Sequence, residues 1–325
     1  MITVHEQLQE PKTTCTATAT GEAILRVLLY YDIFQYPLSS AEILTFCGSN
    51  TYTLEDIEEE LARLSEQGTV RCHEGYWYMQ HQKQSVVERR LRMEEQGADM
   101  WKIARRFGRL MRAFPFVRGV FISGQLSRYI ADEESDIDYF VVTEPGRLWI
   151  VRTLFVLFRR TVLFNNRKFF CANYYITSDN LHIREHNIYT ACEIASLKPL
   201  WNRELFETLI ARNAWITEFY PQFSLERMEL SEGISEKKSI VQKILESIIP
   251  ASIANRLDKR LMQTTRTFLQ RKFPGRSQFT YEKSLRCTPT ESRAHPNDQA
   301  NIVLKRYNEQ LRFYGIPEYG STTHD

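Results

Sequence analysis

The sequence predicts an α+β chain in which a mixed sheet is flanked by helices, and three observations predict it. Two apolar runs, Val117 to Ile122 and Tyr139 to Val142, are separated by Ser123-Gly124, a short amphipathic segment and Ser135-Asp136-Ile137-Asp138, an order that reads as strand, glycine turn, helix and acidic strand. Long stretches of helical period lie on both sides of this unit. A third pattern, Gly68 to Cys72 and Tyr76 to Met79 around Glu74-Gly75, reads as a β-hairpin.

Residues 1–20 are polar, rich in Thr and without periodicity, and are read as a disordered leader. Residues 21–81 form a first module. A helical stripe carries Ile24, Leu25, Leu28, Leu29 and Ile33, a second helix covers Ala41 to Phe46, and a third runs from Thr53 to Leu64 with Thr53 and Asp56 as a capping pair. With the hairpin these resemble a winged helix. The third helix carries Glu55, Asp56, Glu58, Glu59, Glu60 and Glu66 against Arg63 alone, a face that repels phosphates. A structural or protein-docking role is therefore expected of this module, ahead of DNA reading.

Residues 82–185 hold the central unit. Gln82 to Arg112 is a long helical pattern with an excess of Lys and Arg, read as a solvated basic face, with contact to a polyanion as the alternative. Leu148 to Phe158 is the longest apolar stretch and is too short to span a bilayer, which takes about 20 residues. Phe169 to Ile176 is a strand rich in aromatics. Residues 186–325 are expected to be helical, with a polar linker from Ser224 to Lys238, a second basic face between Arg256 and Lys272, a loop containing His295, and a last amphipathic helix from Asp298 to Tyr314.

The 325 residues suffice for two or three domains, and the apolar and charged fractions of 43% and 25% are those of ordinary globular proteins. Six scattered cysteines without a Cys-x-x-Cys pair indicate neither a zinc site nor a disulfide framework, and a reducing cytoplasm without a membrane partner is expected.

The chemistry concentrates at Asp136 and Asp138. Side chains alternate along a strand, so the two carboxylates point to one face, about 6 to 7 Å apart along the backbone, with Ile137 turned to the core. Two carboxylates so placed can share a hard divalent cation such as Mg²⁺. Gly124 lets backbone N–H groups approach an anion, so a phosphate chain could lie between the turn and the metal.

At these residues the chain resembles the DNA polymerase beta-type nucleotidyltransferase superfamily, whose signature is a Gly-Ser turn and an Asp-x-Asp strand separated by a short helix. The wider order of a helix with Leu-Leu-Tyr-Tyr-Asp-Ile-Phe-Gln-Tyr-Pro-Leu, a winged-helix-like module, a basic helix and the Asp-x-Asp core is similar to a group of prokaryotic nucleotidyltransferases. The resemblance implies that Asp136 and Asp138 hold Mg²⁺ or Mn²⁺, and that Ser123, Gly124, Gln125 and Ser127 contact the phosphates of an NTP. It also implies a third carboxylate on the neighbouring strand, where this chain has Asn173. Gln125 stands where the superfamily has serine. The reaction implied is transfer of a nucleoside monophosphate from NTP to an acceptor hydroxyl, with activation by a metal-bound alkoxide or by another carboxylate such as Asp179 or Glu193. The Asn173 and Gln125 departures leave open a nucleotide-binding protein that has lost transfer, and a DNA-binding regulator is the third alternative.

Overall fold

The computed structural model describes residues 18–227, 238–275, 285–293 and 298–320; most of the leader, most of the linker and His295 lie outside the described residues. The chain is α+β and divides into two compact units, one of Met1–Glu88, Tyr220–Gln222 and Asn301–Asp325, the other of Arg89–Phe219 and Phe223–Ala300.

The first unit contains α1 (Ala19–Asp32), β1 (Leu38–Ser39), α2 (Ser40–Phe46), α3 (Leu54–Glu66), β2 (Val70–His73) and β3 (Tyr76–Met79). Its antiparallel sheet has the order β1-β3-β2. The capping pair forms as the sequence implies: Asp56 N–H donates to the Thr53 hydroxyl at 3.2 Å, and Thr53 N–H donates to the Asp56 carboxylate at 2.7 Å. The β2–β3 turn consists of Glu74 and Gly75, both at positive φ, which matches the right-handed twist of the flanking strands. On α3, Ile57, Leu61 and Leu64 face the core. Glu60, counted in the sequence with the acidic face, instead turns inward and accepts from Arg63 and Thr18. The C-terminal helix Gln299–Phe313 returns to this unit, where the Tyr307 hydroxyl donates to the Arg26 carbonyl and Gln310 to Asp32.

The second unit is built on α4 (Ser85–Arg112), β4 (Val117–Ser123), β5 (Asp138–Thr143), α5 (Leu148–Thr161), β6 (Cys171–Thr177), α6 (Ile188–Ser196), β7 (Lys198–Trp201), α7 (Arg203–Arg212), α8 (Ile240–Ile248), α9 (Ala251–Lys272) and β8 (Glu291–Arg293). The sheet order is β7-β4-β5-β6-β8. Only β5 and β6 are parallel, and the crossover this demands is supplied by α5. The buried face of α5, including Trp149, Val151 and Phe155, packs with Val141, Tyr175 and Phe170 in the core. Its first backbone donors are capped from a distance, because the buried Asp258 carboxylate accepts from Trp149 N–H at 2.8 Å and Ile150 N–H at 3.0 Å.

Two features differ from the sequence expectation. The segment after Gly124 is a single 3-10 turn, Gln125–Arg128, because Gly124 and Tyr129 at positive φ bracket it and the chain then runs irregularly to Ile137. The region from residue 186 onward, expected to be helical, also contributes the strands β7 and β8 to the two edges of the sheet.

Candidate active site at one end of the sheet

The last residue of β4, Ser123, pairs with the first of β5, Asp138, so the glycine turn and the acidic strand meet by register alone. Gly124 has φ +66°, a conformation natural to glycine, and a Cβ placed on it would stand 2.9 Å from the Asp138 Oδ2. The carboxylate lies directly against the turn, and a side chain at this position would have to displace it.

Asp136 is exposed and precedes the strand, whereas Asp138 is half-buried within it. Ile137 between them is fully buried, its N–H donating to the Lys168 carbonyl and its carbonyl accepting from Cys171 N–H, so it turns to the core as expected, although only Asp138 of the two acids belongs to the strand. Asp138 is pushed up to about 7 by burial, then by the nearby charges of Asp136 and Glu193, against the hydrogen bonds from Cys171 and Asn173.

Asn173 reaches this site through an irregularity. β5 and β6 pair Tyr139 with Ala172 but Phe140 with Tyr174, which leaves Asn173 as the extra residue of a bulge. Its amide Nδ2 donates to Asp138 Oδ1, and its Oδ1 accepts from the Cys171 thiol at 3.0 Å. The amide thus meets Asp138 with its donor side.

The other sequence candidates separate. Ser123 sits half-buried at the turn, and Gln125 is exposed with its amide oxygen accepting from the Ser135 hydroxyl at 2.8 Å. Ser127, expected among the phosphate contacts, is buried and donates to the Gly124 carbonyl at 2.7 Å, which makes it a brace of the turn. Asp179 is exposed beyond the opposite end of β6, which removes it from the site. Glu193 on α6 is near enough to raise the Asp138 pKa. Its own carboxyl is pushed up by burial against the opposing pull of Arg128 and Arg293.

Arg128 is the site residue that sequence reasoning missed. It closes the 3-10 turn and donates toward Cys192 Sγ at 3.1 Å, Ser196 Oγ at 3.3 Å and Glu193 Oε1 at 3.4 Å. The available signal was its place as the sole cation of the short segment after the glycine. An exposed Arg and one held against a helix through a single glutamate look alike in sequence.

Among the described residues no group of three or more His, Cys, Asp and Glu side chains is arranged to hold a metal ion. The donor set is two carboxylates, one of them partly desolvated and repelled by its neighbours. That charge balance fits a single oxygen-liganded divalent cation whose remaining ligands are phosphate and water. Comparison with protein-family models, curated proteins and solved structures finds no match.

Proposed function

We propose that the second unit is a nucleotidyltransferase core of the DNA polymerase beta type that transfers a nucleoside monophosphate from NTP to an acceptor hydroxyl. The observation that carries this reading is the Gly124 turn lying against Asp138, since it sets a glycine turn, whose backbone can approach an anion, beside a carboxylate raised by burial and like charges. Asp136 and Asp138 would hold Mg²⁺ or Mn²⁺, which screens the triphosphate and stabilises charge on the transferred group. Ser123, the Gly124 backbone and Gln125 would take the β- and γ-phosphates, with Ser127 bracing the turn. Glu193 would accept the proton of the attacking hydroxyl, with its contact to Arg128 at 3.4 Å holding it in position. The first unit, with helices, strands and hairpin in the order of a winged helix, serves docking, since Glu55, Glu58 and Glu59 on α3 remain exposed.

A second reading, nucleotide binding without transfer, is favoured by one contact, the Asn173 amide that stands in the third-acid position and donates to Asp138. Incubation of the full chain with each labelled NTP and Mg²⁺ or Mn²⁺, followed for pyrophosphate release, separates the two. Transfer that Glu193→Gln abolishes supports the first, and metal-dependent NTP binding without turnover supports the second. Both readings require Asp138→Asn to abolish metal-dependent NTP binding in calorimetric titration while the thermal melt persists. Unchanged affinity in that variant removes both.

A further inference from the structure

The helix α8 is amphipathic in the wrong sense for a helix on a water-facing surface. Two of its polar residues turn inward: Gln242 is fully buried and donates to the Val117 carbonyl at 2.7 Å, and Glu246 accepts from Phe116 N–H and from Arg118, each at 2.7 Å. Its apolar residues turn outward, with Ile240, Val241, Ile244, Leu245 and Ile248 exposed, the first and last by 77% and 67%. Rotating the helix to bury this stripe would take from the Phe116 N–H its acceptor and from Arg118 one of its two carboxylate partners, so the hydrogen bonds hold the apolar face out. Past Pro250, Ile253, Leu257 and Phe268 are likewise exposed, at spacings that share one face of α9. Exposed apolar residues gathered in this way mark a docking face.

The charges around it name the occupant. Lys243 is exposed on α8, Arg256, Lys259 and Arg260 are exposed in the first half of α9, and Arg266, Arg271 and Lys272 in the second. The acids of the described residues 238–275 are both turned away, Glu246 into its pairs with Arg118 and Lys238 and Asp258 into the cap of α5. A second copy docking on this face would oppose cation to cation with no exposed acid to answer. A nucleic acid would answer the cations but has no use for a stripe of Ile and Leu. A bilayer with anionic headgroups satisfies both halves of the face, taking the apolar stripe at the acyl boundary and the Lys and Arg side chains among the phosphates.

We infer that α8 and the exposed face of α9 form an amphipathic surface by which the protein lies on an anionic lipid membrane. This departs from the sequence expectation of no membrane partner, while remaining consistent with the observation that no helix among the described residues is long and apolar enough to cross one. The contact is peripheral and does not depend on the reading of the active site.

The test is co-sedimentation of the full chain with vesicles of phosphatidylcholine alone and of phosphatidylcholine mixed with phosphatidylglycerol. Expected is at least about tenfold stronger binding to the anionic vesicles, weakened by salt. The double variant Ile244→Ser with Ile248→Ser, both on the outward face, should lose about tenfold or more of that binding without a change in the thermal melt. Charge reversal at Arg256 and Arg260 should do the same. Failure to bind anionic vesicles, or equal binding to both kinds, overturns the inference. So does binding of duplex DNA in place of vesicles that the serine variants leave intact, which would assign the face to nucleic acid. A dimer that the serine variants dissociate, with no vesicle binding, would assign it to a second copy.

Discussion

The two ends of β4 each bring a partly buried carboxylate to the sheet, and the two acids are treated in opposite ways. Near the start of the strand Glu246 is pushed up by burial but pulled down further by Arg118, Lys238 and the Phe116 N–H, and it ends at about 2. At the finish Asp138 meets burial with the charges of Asp136 and Glu193 beside it and ends at about 7. One carboxylate has three donors around it and fastens α8 to the sheet. The other has like charges for neighbours and an amide as its consolation. A fold that supplies Arg118 and Lys238 at one end leaves Asp138 at the other among like charges, a difference that supports the proposed cation site.

The largest effect expected from breaking this contrast is at Glu246. Glu246→Gln should cost about 2 to 3 kcal/mol in urea unfolding, because Arg118 and Lys238 lose a shared partner in a poorly solvated place. Its pH signature follows from the lowered value. The stabilisation is fully present above the ordinary glutamate range and is lost as pH falls from 4.5 toward about 2, by about 2 kcal/mol once solvent screening is allowed for. A wild-type stability profile that stays flat through that window, or one that the variant reproduces, would remove Glu246 from this role.

A smaller effect is expected at Asn173. Asn173→Asp exchanges the amide donor facing Asp138 for a third negative charge, so the chain should lose about 1 to 2 kcal/mol without divalent cations and regain it on titration with Mg²⁺ or Mn²⁺. Loss that the metal does not restore would show that the position serves only packing.

The smallest effect has the opposite sign. The raised Asp138 value means that its contribution to stability is present below the ordinary aspartate range and is gone once pH has risen past about 7. Asp138→Asn should therefore stabilise the metal-free protein by about 1 kcal/mol at about pH 8, relieving repulsion with Asp136 and Glu193. Destabilisation instead would mean that Asp138 is a structural acid like Glu246, and the contrast between the two ends would collapse.

What the sequence made legible was whatever a local rule encodes. Thr53 and Asp56 announce a capping box three residues apart, Glu74-Gly75 announces a hairpin, and a glycine ahead of an acidic strand announces a turn that a carboxylate can approach. The strand β8 was illegible because Glu291, Ser292 and Arg293 show no apolar alternation. They form a strand because β6 offers an edge, with Glu291 and Arg293 both hydrogen-bonded to the Tyr174 hydroxyl. Strand β7, four residues with Pro199 inside, is too short for periodicity to reveal, and the proline suits its edge position. The bulge that exposes Asn173 to Asp138 depends on a register between strands joined through α5, which no local pattern contains. The sequence was silent on which side of the helix Ile240–Ile248 meets the protein, since that is decided by Phe116 and Arg118, more than a hundred residues away in the chain.

The return of the C-terminal helix to the first unit has a consequence during biosynthesis. Tyr307 donates to a carbonyl 281 residues earlier in the chain, and Gln310 to the Asp32 carboxylate, 278 residues earlier. At about 5 to 20 residues per second, α1 leaves the ribosome on the order of 15 to 55 s before the helix that covers it exists. Throughout that interval the apolar side of α1 that later receives Tyr307 is open to chaperones and to other nascent chains, so yield in the cell should respond to translation speed and chaperone supply more than the stability of the finished protein would suggest.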